Sequence, residues 1–249
     1  MPIDDVAARG FQAGAAAYEA ARPGYPDEAV DILRDEVGIV RGTDVLDLAA
    51  GTGKLTRRLV ELGAAVVAVE PVPAMRAQLR AVLPDVEVVD GAAEQIPSAD
   101  ASLDVVAVAQ AFHWFDAPTA LADIARVLRP AGRLAILWNE RDETTPWVAE
   151  MSRLIGWHDR TVSRYQHVDW AEVVAASGRF TELQQRTIRW DQAMTRDLLA
   201  ERVRSISYIA AMPTAEREKL AAEVVYLARR LPEQFALPYV CRVQWASLA

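Results

Sequence analysis

Between residues 43 and 138 the sequence repeats one pattern: a short apolar run, a turn, and then apolar residues at helical spacing. Short, almost wholly apolar strands are typical of a parallel sheet that helices cover on both faces. The repeat therefore predicts an α/β fold with a mostly parallel sheet. The strands predicted in this region are residues 45–48, 65–69, 86–89, 103–108 and 133–138.

Beyond residue 138 the pattern changes, and two further strands are predicted at residues 183–190 and 239–245. The second alternates apolar and polar residues, as a half-buried antiparallel strand does. Between these strands, residues 196–211 and 215–230 are predicted to form an inserted helical hairpin. Ahead of the sheet, residues 26–37 are predicted to form a helix.

Charge and cysteine content narrow the class of protein. The 249 residues include 27 Lys and Arg against 35 Asp and Glu, a net charge of −8. This balance argues against a general nucleic-acid or anionic-membrane binder, which needs a basic surface. A lone cysteine, Cys241, permits neither an internal disulfide nor the usual structural zinc site. With no apolar run of membrane-spanning length and no apolar signal core, we expect a cytoplasmic protein.

The first predicted strand contains Asp47 near its end and is followed by a turn of small residues that includes Gly51 and Gly53. Glycines allow a ligand to approach the backbone closely, and ligands of parallel sheets bind at the carboxyl ends of the strands. Glu70 closes the second predicted strand, 23 residues after Asp47. An acid at this position is placed to accept the hydroxyls of a ribose. Turn and acid together predict a nucleoside site.

The turn lacks the signatures of two common nucleotide sites. Gly53 and Lys54 are followed by Leu55, so the phosphate-loop pattern is absent. Thr56 stands where the dinucleotide pattern requires Gly or Ala, and Asp47 would repel a pyrophosphate. A nucleoside that carries an ammonium and a sulfonium group fits the acid better.

These motifs resemble those of the class I S-adenosylmethionine-dependent methyltransferases, specifically the small-molecule type 11 group, from about Phe11 to Asn139. The family turn reads Asp-x-Gly-x-Gly-x-Gly, and here it runs from Asp47 to Gly53. Ala49 replaces the first glycine, which fits if the backbone there has a negative φ.

The resemblance implies a single domain, residues 1–249, with a Rossmann-like sheet of seven strands, helices on both faces, an antiparallel last strand and a helical insertion. Its parts would be N-terminal lid helices (1–40), a cofactor-binding core (41–140), and a helical cap with the last two strands (141–249).

The resemblance also implies roles for individual residues. Asp47 and the turn would hold the methionine part of S-adenosylmethionine, Glu70 the ribose, and Met75 the adenine. Ala92 replaces an Asp that commonly contacts the adenine amino group, so backbone at Ala92 and Ala93 would take over that contact. The full set of implied cofactor-binding residues is Tyr18, Arg22, Asp47, Ala49, Gly51, Gly53, Glu70, Pro71, Met75, Ala92, Ala93, Glu94, Gln110 and Phe112.

The N-terminal segment also resembles the start of such proteins, where a first helix covers the cofactor. Arg22 would pair with the methionine carboxylate through a charge-assisted hydrogen bond, and Tyr18 would share this role. A surface arginine and a tyrosine packed on the sheet edge are the structural alternatives.

Methyl transfer is an in-line displacement that needs positioning and exclusion of water, and no metal. His113 is the best-placed general base, although packing of a neutral imidazole explains it equally well. Trp114 would wall the site, and Trp138 and Asn139 would contact a small organic acceptor. Two alternatives remain: a non-catalytic binding or regulatory protein, and a nicotinamide-dependent oxidoreductase.

Overall fold

The computed structural model describes Glu19, residues 21–159 and residues 168–249. Tyr18 and the rest of the predicted N-terminal lid before it lie outside the described residues. The strands are β1 (Asp44–Leu48), β2 (Ala65–Val69), β3 (Glu87–Val89), β4 (Leu103–Ala109), β5 (Leu128–Arg141), β6 (Gln184–Thr195) and β7 (Gln234–Ser247).

Within the described residues these strands form one seven-stranded sheet in the order β3-β2-β1-β4-β5-β7-β6. Strands β1 to β5 pair in parallel, and β7 runs antiparallel to its neighbours β5 and β6. The predicted fold class, including the antiparallel last strand, is confirmed.

Helices precede, connect and follow the strands. The α-helices are α1 (Asp27–Asp35), α2 (Lys54–Glu61), α3 (Pro73–Val82), α4 (Ala117–Val127), α5 (Pro146–Leu154), α6 (Trp170–Ala176), α7 (Arg196–Arg204), α8 (Ser207–Ala210) and α9 (Thr214–Leu227). None of those in the described part of the chain combines the length and apolar character needed to cross a bilayer.

The alternation of side chains along the central strands divides the core between the two faces of the sheet. Leu46 and Leu48 of β1 pack into a buried cluster with Ile124 of α4. Val45 packs on the other face in a cluster that contains Leu33 of α1. Fully burying a leucine contributes about 1.5–3 kcal/mol, so both faces hold the central strands firmly in place.

The inserted helices form a cap on the extension of the last two strands. Strands β6 and β7 pair from Gln184 with Trp245 to Thr195 with Gln234, well beyond the predicted bounds. The predicted helix 196–211 is interrupted, since Ile206 is extended (φ −71°, ψ 126°). Ser205 Oγ also donates to the Arg202 carbonyl at 2.7 Å, which helps to end α7.

The strand order places a crevice at the carboxyl end of β1. The chain connects β1 to β2 on one side, while β4 pairs with β1 on the other side. Leu48, the last residue of β1, is in register with Val69 and Val108. Where the strand order reverses in this way, helices leave opposite faces of the sheet and open a crevice for ligands.

Candidate active site

The turn between β1 and α2 passes repeatedly through the left-handed region of backbone space. The φ angles of Ala49, Gly51 and Gly53 are 58°, 59° and 89°. At Gly53 a Cβ would lie 3.0 Å from Cγ of Leu79, so this position excludes a side chain on two counts. The condition under which Ala49 would fit easily, a negative φ, is not met. An alanine is held there in a conformation that costs about 1–2 kcal/mol.

Asp47 lies at the base of this turn and is 1% exposed. Its Oδ2 accepts a hydrogen bond of 2.5 Å from Thr56 Oγ1, while Oδ1 has no partner among the described residues. Burial raises the pKa of Asp47 to about 7, and the nearby Glu70 adds to the increase. The carboxyl group is therefore an incompletely satisfied acceptor on the wall of a cavity.

Glu70 follows β2 and ties the glycine turn to the start of α3. Its Oε2 accepts the Gly51 N–H at 2.9 Å, and its Oε1 accepts the Val72 N–H at 2.8 Å. The side chain is buried, and this burial raises the pKa of Glu70 against the opposing effect of the two N–H groups. Each oxygen retains a lone pair, so the carboxylate can accept further hydrogen bonds.

Two small adjacent cavities open beside the turn. Tyr25, Lys54 and Gln110 line both of them. The first, which we call the turn cavity, is also lined by Asp47, Ala49, Ala50, Gly51, Thr52, Leu55 and Ala109. The second, which we call the cap cavity, is also lined by Arg22, Pro23, Asn139 and Arg202.

Glu19 precedes residues 21–26, which lead into α1 and which we call the entry segment, and it contacts the glycine turn. Its carboxylate accepts a hydrogen bond of 2.7 Å from Thr52 Oγ1 and pairs with Lys54 Nζ and Arg57, each at 3.2 Å. Arg22 Nη2 donates to the Ser205 carbonyl at 3.3 Å, which connects the same segment to the cap. The segment therefore bridges the glycine turn and the inserted helices.

Gln110 and Asn139 end β4 and β5 on the opposite side of the cavities. Gln110 has a φ of 59°, a second strained residue in the cavity wall, and its Nε2 donates to the Asn139 carbonyl at 3.0 Å. Asn139 Nδ2 donates to the Gly24 carbonyl, and its Oδ1 accepts from Trp190 Nε1, both at 2.9 Å. The asparagine is thus held firmly at the edge of the cap cavity.

The residues expected around the adenine lie at the carboxyl ends of β2 and β3. Met75 on α3 is 2% exposed, and Pro71 is half-buried just before that helix. Arg76 Nη1 donates to the Glu70 carbonyl at 2.7 Å, and the guanidinium pairs with both carboxylate oxygens of Asp90 at 2.8 and 3.1 Å. These bonds fix the loop after β3 against the start of α3.

The loop after β3 carries the last of the expected adenine contacts. Ala92 is exposed and forms an isolated bridge with Gln95, whereas Ala93 is buried. Glu94 Oε1 accepts the Asp116 N–H at 2.8 Å, so this side chain caps the start of α4. The Ala92 carbonyl accepts the Gln95 N–H at 3.2 Å, and a contact between this backbone and the adenine stays a prediction.

Two aromatic residues assigned to the site lie in the core instead. Phe112 is completely buried and packs edge-on against Trp170, with ring centroids 5.3 Å apart. Trp138 is 1% exposed and stacks on the same Trp170 at 5.3 Å. Because side chains alternate along β5, Trp138 faces the sheet side opposite to Asn139, and only Asn139 lines a cavity. The structure therefore corrects the expectation that Trp138 contacts the acceptor.

His113 belongs to the same aromatic group. Its ring centroid lies 4.4 Å from that of Trp114 and 5.7 Å from that of Trp138. Burial lowers the pKa of His113 to about 3, so the imidazole is neutral at physiological pH and strongly disfavours a proton. This environment argues for the packing interpretation and against a general base.

Lys54, Tyr25 and Arg202 line the cavities but were not expected there. Arg202 had a signal in the sequence: with Leu199, Val203 and Ile206 it falls on one face of the predicted helix. A cation on an otherwise apolar helix face indicates a partner or a ligand, because an arginine is rarely buried without one. Tyr25 belongs to the N-terminal segment that resembles the start of the family's proteins, whereas Lys54 carried no comparable pattern.

Comparisons with known proteins identify the family of the chain. A methyltransferase domain model matches residues 46–136. The chain is 42% identical over 244 residues to an uncharacterized methyltransferase of Mycobacterium tuberculosis (strain ATCC 25618 / H37Rv), which covers 96% of each chain.

Two solved structures share the fold. One is a methyltransferase from an antibiotic biosynthesis pathway of Anabaena variabilis, with a TM-score of 0.66, 19% identity, and coverage of 92% of this chain and 99% of that chain. The other is a phosphoethanolamine N-methyltransferase of Haemonchus contortus in complex with S-adenosylhomocysteine. Its TM-score is 0.54 and its identity 17%, with coverage of 95% of this chain and 57% of that chain.

The sheet order, the glycine turn and the acid after β2 define a Rossmann-like class I methyltransferase fold. The chain belongs to the methyltransferase family and is an enzyme of that class. The resemblance stated from the sequence motifs is confirmed.

Proposed function

We propose that the enzyme binds S-adenosylmethionine across the carboxyl ends of β1 and β2 and transfers its methyl group to a small organic acceptor. The observation that carries the proposal is the pair of buried carboxyl groups beside the glycine turn. Asp47 keeps one buried oxygen without a partner among the described residues, and Glu70 keeps acceptor capacity next to it. A ligand with an ammonium and two vicinal hydroxyls would satisfy both groups.

The residues of the turn cavity fit such a cofactor. A Cβ built on Gly51 would have no heavy atom within 4 Å, so the backbone there faces open space. The pKa of Asp47 near 7 means that an approaching ammonium would favour the ionised carboxylate, and binding would release a proton from part of the population. Asp47 would thus hold the ammonium, and Glu70 the ribose hydroxyls.

The remaining assignments follow from placement. Arg22 lines the cap cavity next to the turn cavity, where it would pair with the methionine carboxylate. Met75 would support the adenine from α3, and backbone at Ala92 would offer it hydrogen bonds. Gln110, which lines both cavities, would separate the cofactor from the acceptor.

S-adenosylmethionine supplies an activated methyl group on a sulfonium, so the chain needs to contribute mainly geometry. Gln110 and Asn139 are fixed by hydrogen bonds and would orient the acceptor. The Glu19 contacts would keep the entry segment closed and exclude water. With its depressed pKa, His113 would not take up a proton, so an acceptor that reacts in its deprotonated form fits best.

Calorimetric titration with S-adenosylhomocysteine, with NADH as a matched control, tests the proposal. We expect micromolar binding of S-adenosylhomocysteine alone. Glu70→Gln should weaken it about 10- to 100-fold, since a hydrogen bond to a charged group contributes roughly 1.5–3 kcal/mol. Glu87→Gln, on an exposed glutamate at the start of β3, is the control.

The outcomes separate the alternatives. Selective binding of NADH would replace the proposal with an oxidoreductase. Binding of S-adenosylhomocysteine without turnover of labelled S-adenosylmethionine on a broad acceptor panel would favour a binding or regulatory protein. Unchanged affinity in Glu70→Gln, with circular dichroism showing an intact fold, would remove Glu70 from the ribose role.

A further inference from the structure

Arg202 is a buried cation whose hydrogen bonds are incomplete. It lies on α7 and is 5% exposed. Its Nε donates to the Tyr239 hydroxyl at 3.2 Å, while its buried Nη1 has no hydrogen-bond partner among the described residues. The ion pairs found in that part of the chain do not include Arg202, so its charge has no carboxylate counterpart there. Burying a guanidinium without a counterion costs free energy, so arginines are rarely buried in this way.

The unsatisfied guanidinium lines the cap cavity. Arg22 and Lys54 are the other cations in its wall, and no Asp or Glu side chain of the described residues lines it. Lys54 already has Glu19 as a counterion at 3.2 Å. Arg202 is therefore the cation of this wall that lacks a carboxylate partner among the described residues, in a protein whose net charge is −8.

We propose that Arg202 binds a carboxylate group of the methyl acceptor, so that the enzyme acts on small organic acids. This inference rests on the function proposed above, in which Arg22 takes the carboxylate of the cofactor. Arg22 and Arg202 both line the cap cavity, and neither lines the turn cavity. Arg22 lies three residues after Glu19, which contacts Thr52 of the glycine turn, whereas Arg202 reaches the cavity from the inserted helices. The second positive charge therefore lies on the acceptor side, next to Asn139.

Geometry also favours a carboxylate as the ligand group. A planar guanidinium matches a planar carboxylate, and Tyr239 fixes the orientation of Arg202 by occupying Nε. A purely structural role, in which Arg202 only holds Tyr239, explains the Nε contact. It does not explain a second donor that is buried at a cavity without a protein acceptor.

Two measurements with the same proteins test the proposal: wild type, Arg202→Met, Arg202→Lys and Arg196→Met. Arg196 is the matched control, because it begins the same helix and binds the carbonyls of Leu231 and Pro232 but does not line the cavity. Calorimetry with S-adenosylhomocysteine gives the cofactor affinity of each protein. Thermal melting of the S-adenosylhomocysteine-saturated proteins is then measured with millimolar acetate, benzoate, succinate or inorganic phosphate, and with the amides of the three acids at equal ionic strength.

We expect all four proteins to bind S-adenosylhomocysteine within about twofold of each other. At least one carboxylate should raise the melting temperature of wild type and Arg196→Met, its amide should not, and Arg202→Met should lose the effect. Arg202→Lys should keep the positive charge but bind the acid about tenfold more weakly than wild type. If Arg202→Met does not fold, the Lys variant provides the test instead.

Several results would overturn the proposal. If Arg202→Met still binds the carboxylate, or if the amides also stabilise the protein, Arg202 does not bind the carboxylate group. A response to phosphate alone would assign the site to a different anion. Tenfold weaker binding of S-adenosylhomocysteine in Arg202→Met would make the cofactor the source of the carboxylate. No carboxylate response in a wild type that binds S-adenosylhomocysteine would refute the acid site alone, whereas failure to bind S-adenosylhomocysteine would refute the proposed function itself.

Discussion

Replacing Ala49 with glycine should stabilise the protein, although glycine normally destabilises. Ala49 has a φ of 58°, where the Cβ of an L-residue crowds the following carbonyl. Glycine removes that strain. Ala50, the next residue, is not among the described non-glycine residues with positive φ, so Ala50→Gly is the matched control in the same turn.

The size of the effect follows from two opposing terms. Relief of the left-handed conformation contributes about 1–2 kcal/mol, whereas the greater freedom of glycine in the unfolded chain costs about 0.4–1 kcal/mol. Ala49→Gly should therefore raise the free energy of unfolding by about 0.5–1 kcal/mol. Ala50→Gly bears the entropic cost without any relief and loses buried methyl contacts, so it should lower the free energy of unfolding by about 1 kcal/mol.

Urea unfolding followed by circular dichroism measures both variants against wild type. With a slope of about 3 kcal/mol/M, the midpoint should move up by roughly 0.2–0.3 M for Ala49→Gly and down by a similar amount for Ala50→Gly. Equal destabilisation by both glycines would show that φ at Ala49 does not carry strain and would refute the reasoning.

Three further outcomes are expected. Burial raises the pKa of Asp47 to about 7, so above about pH 4 the native state binds more protons than the unfolded state does. The free energy of unfolding therefore falls as the pH rises towards 7 and beyond, because Asp47 loses its proton in the native state. Asp47→Asn should therefore gain stability relative to wild type between pH 5 and pH 8, on the order of 3 kcal/mol without ligand, and a constant difference in urea unfolding across these pH values would contradict it. His113→Gln should retain more than about a tenth of wild-type kcat with an unchanged pH profile between pH 6 and 8, and a loss of 100-fold or more would restore the general base. Arg22→Ala should weaken S-adenosylhomocysteine binding about tenfold at unchanged melting temperature, whereas lower stability at full affinity would assign Arg22 to the structural contact with Ser205.

The sequence was sufficient for the sheet because strand periodicity is a local property. Ala65–Val69 was predicted to the residue, and the acid that follows it marked the ligand side of the sheet. Longer-range effects were not readable. β5 begins at Leu128, five residues before the predicted strand 133–138, because Leu128 already pairs with Leu103 of β4. That pairing depends on a partner 25 residues away.

In the candidate site, too, local features could be predicted from the sequence and long-range ones could not. Asp47 and Glu70 were recognisable because their spacing follows from the βαβ unit. The opposite facing of Trp138 and Asn139 was implicit in strand alternation, yet which of them faces the cavity depends on where β5 meets β7. The position of Arg202 on an apolar helix face was visible in the sequence, but the cavity that it lines was not, because residues distant in the sequence form that cavity only in the folded chain.

The two cavities together define a site with opposite charge preferences at its two ends. The turn cavity presents Asp47, which calls for a cation, and the cap cavity presents Arg22 and Arg202, which call for anions. Because each group is buried or partly buried, bound ligands would interact with these charges more strongly than surface groups do. S-adenosylmethionine would pair its ammonium with Asp47 and its carboxylate with Arg22, which would leave Arg202 without a carboxylate partner near the positive sulfonium. The acceptor is then the only component left to balance it, which is why the identity of the acceptor should be sought among organic acids before amines.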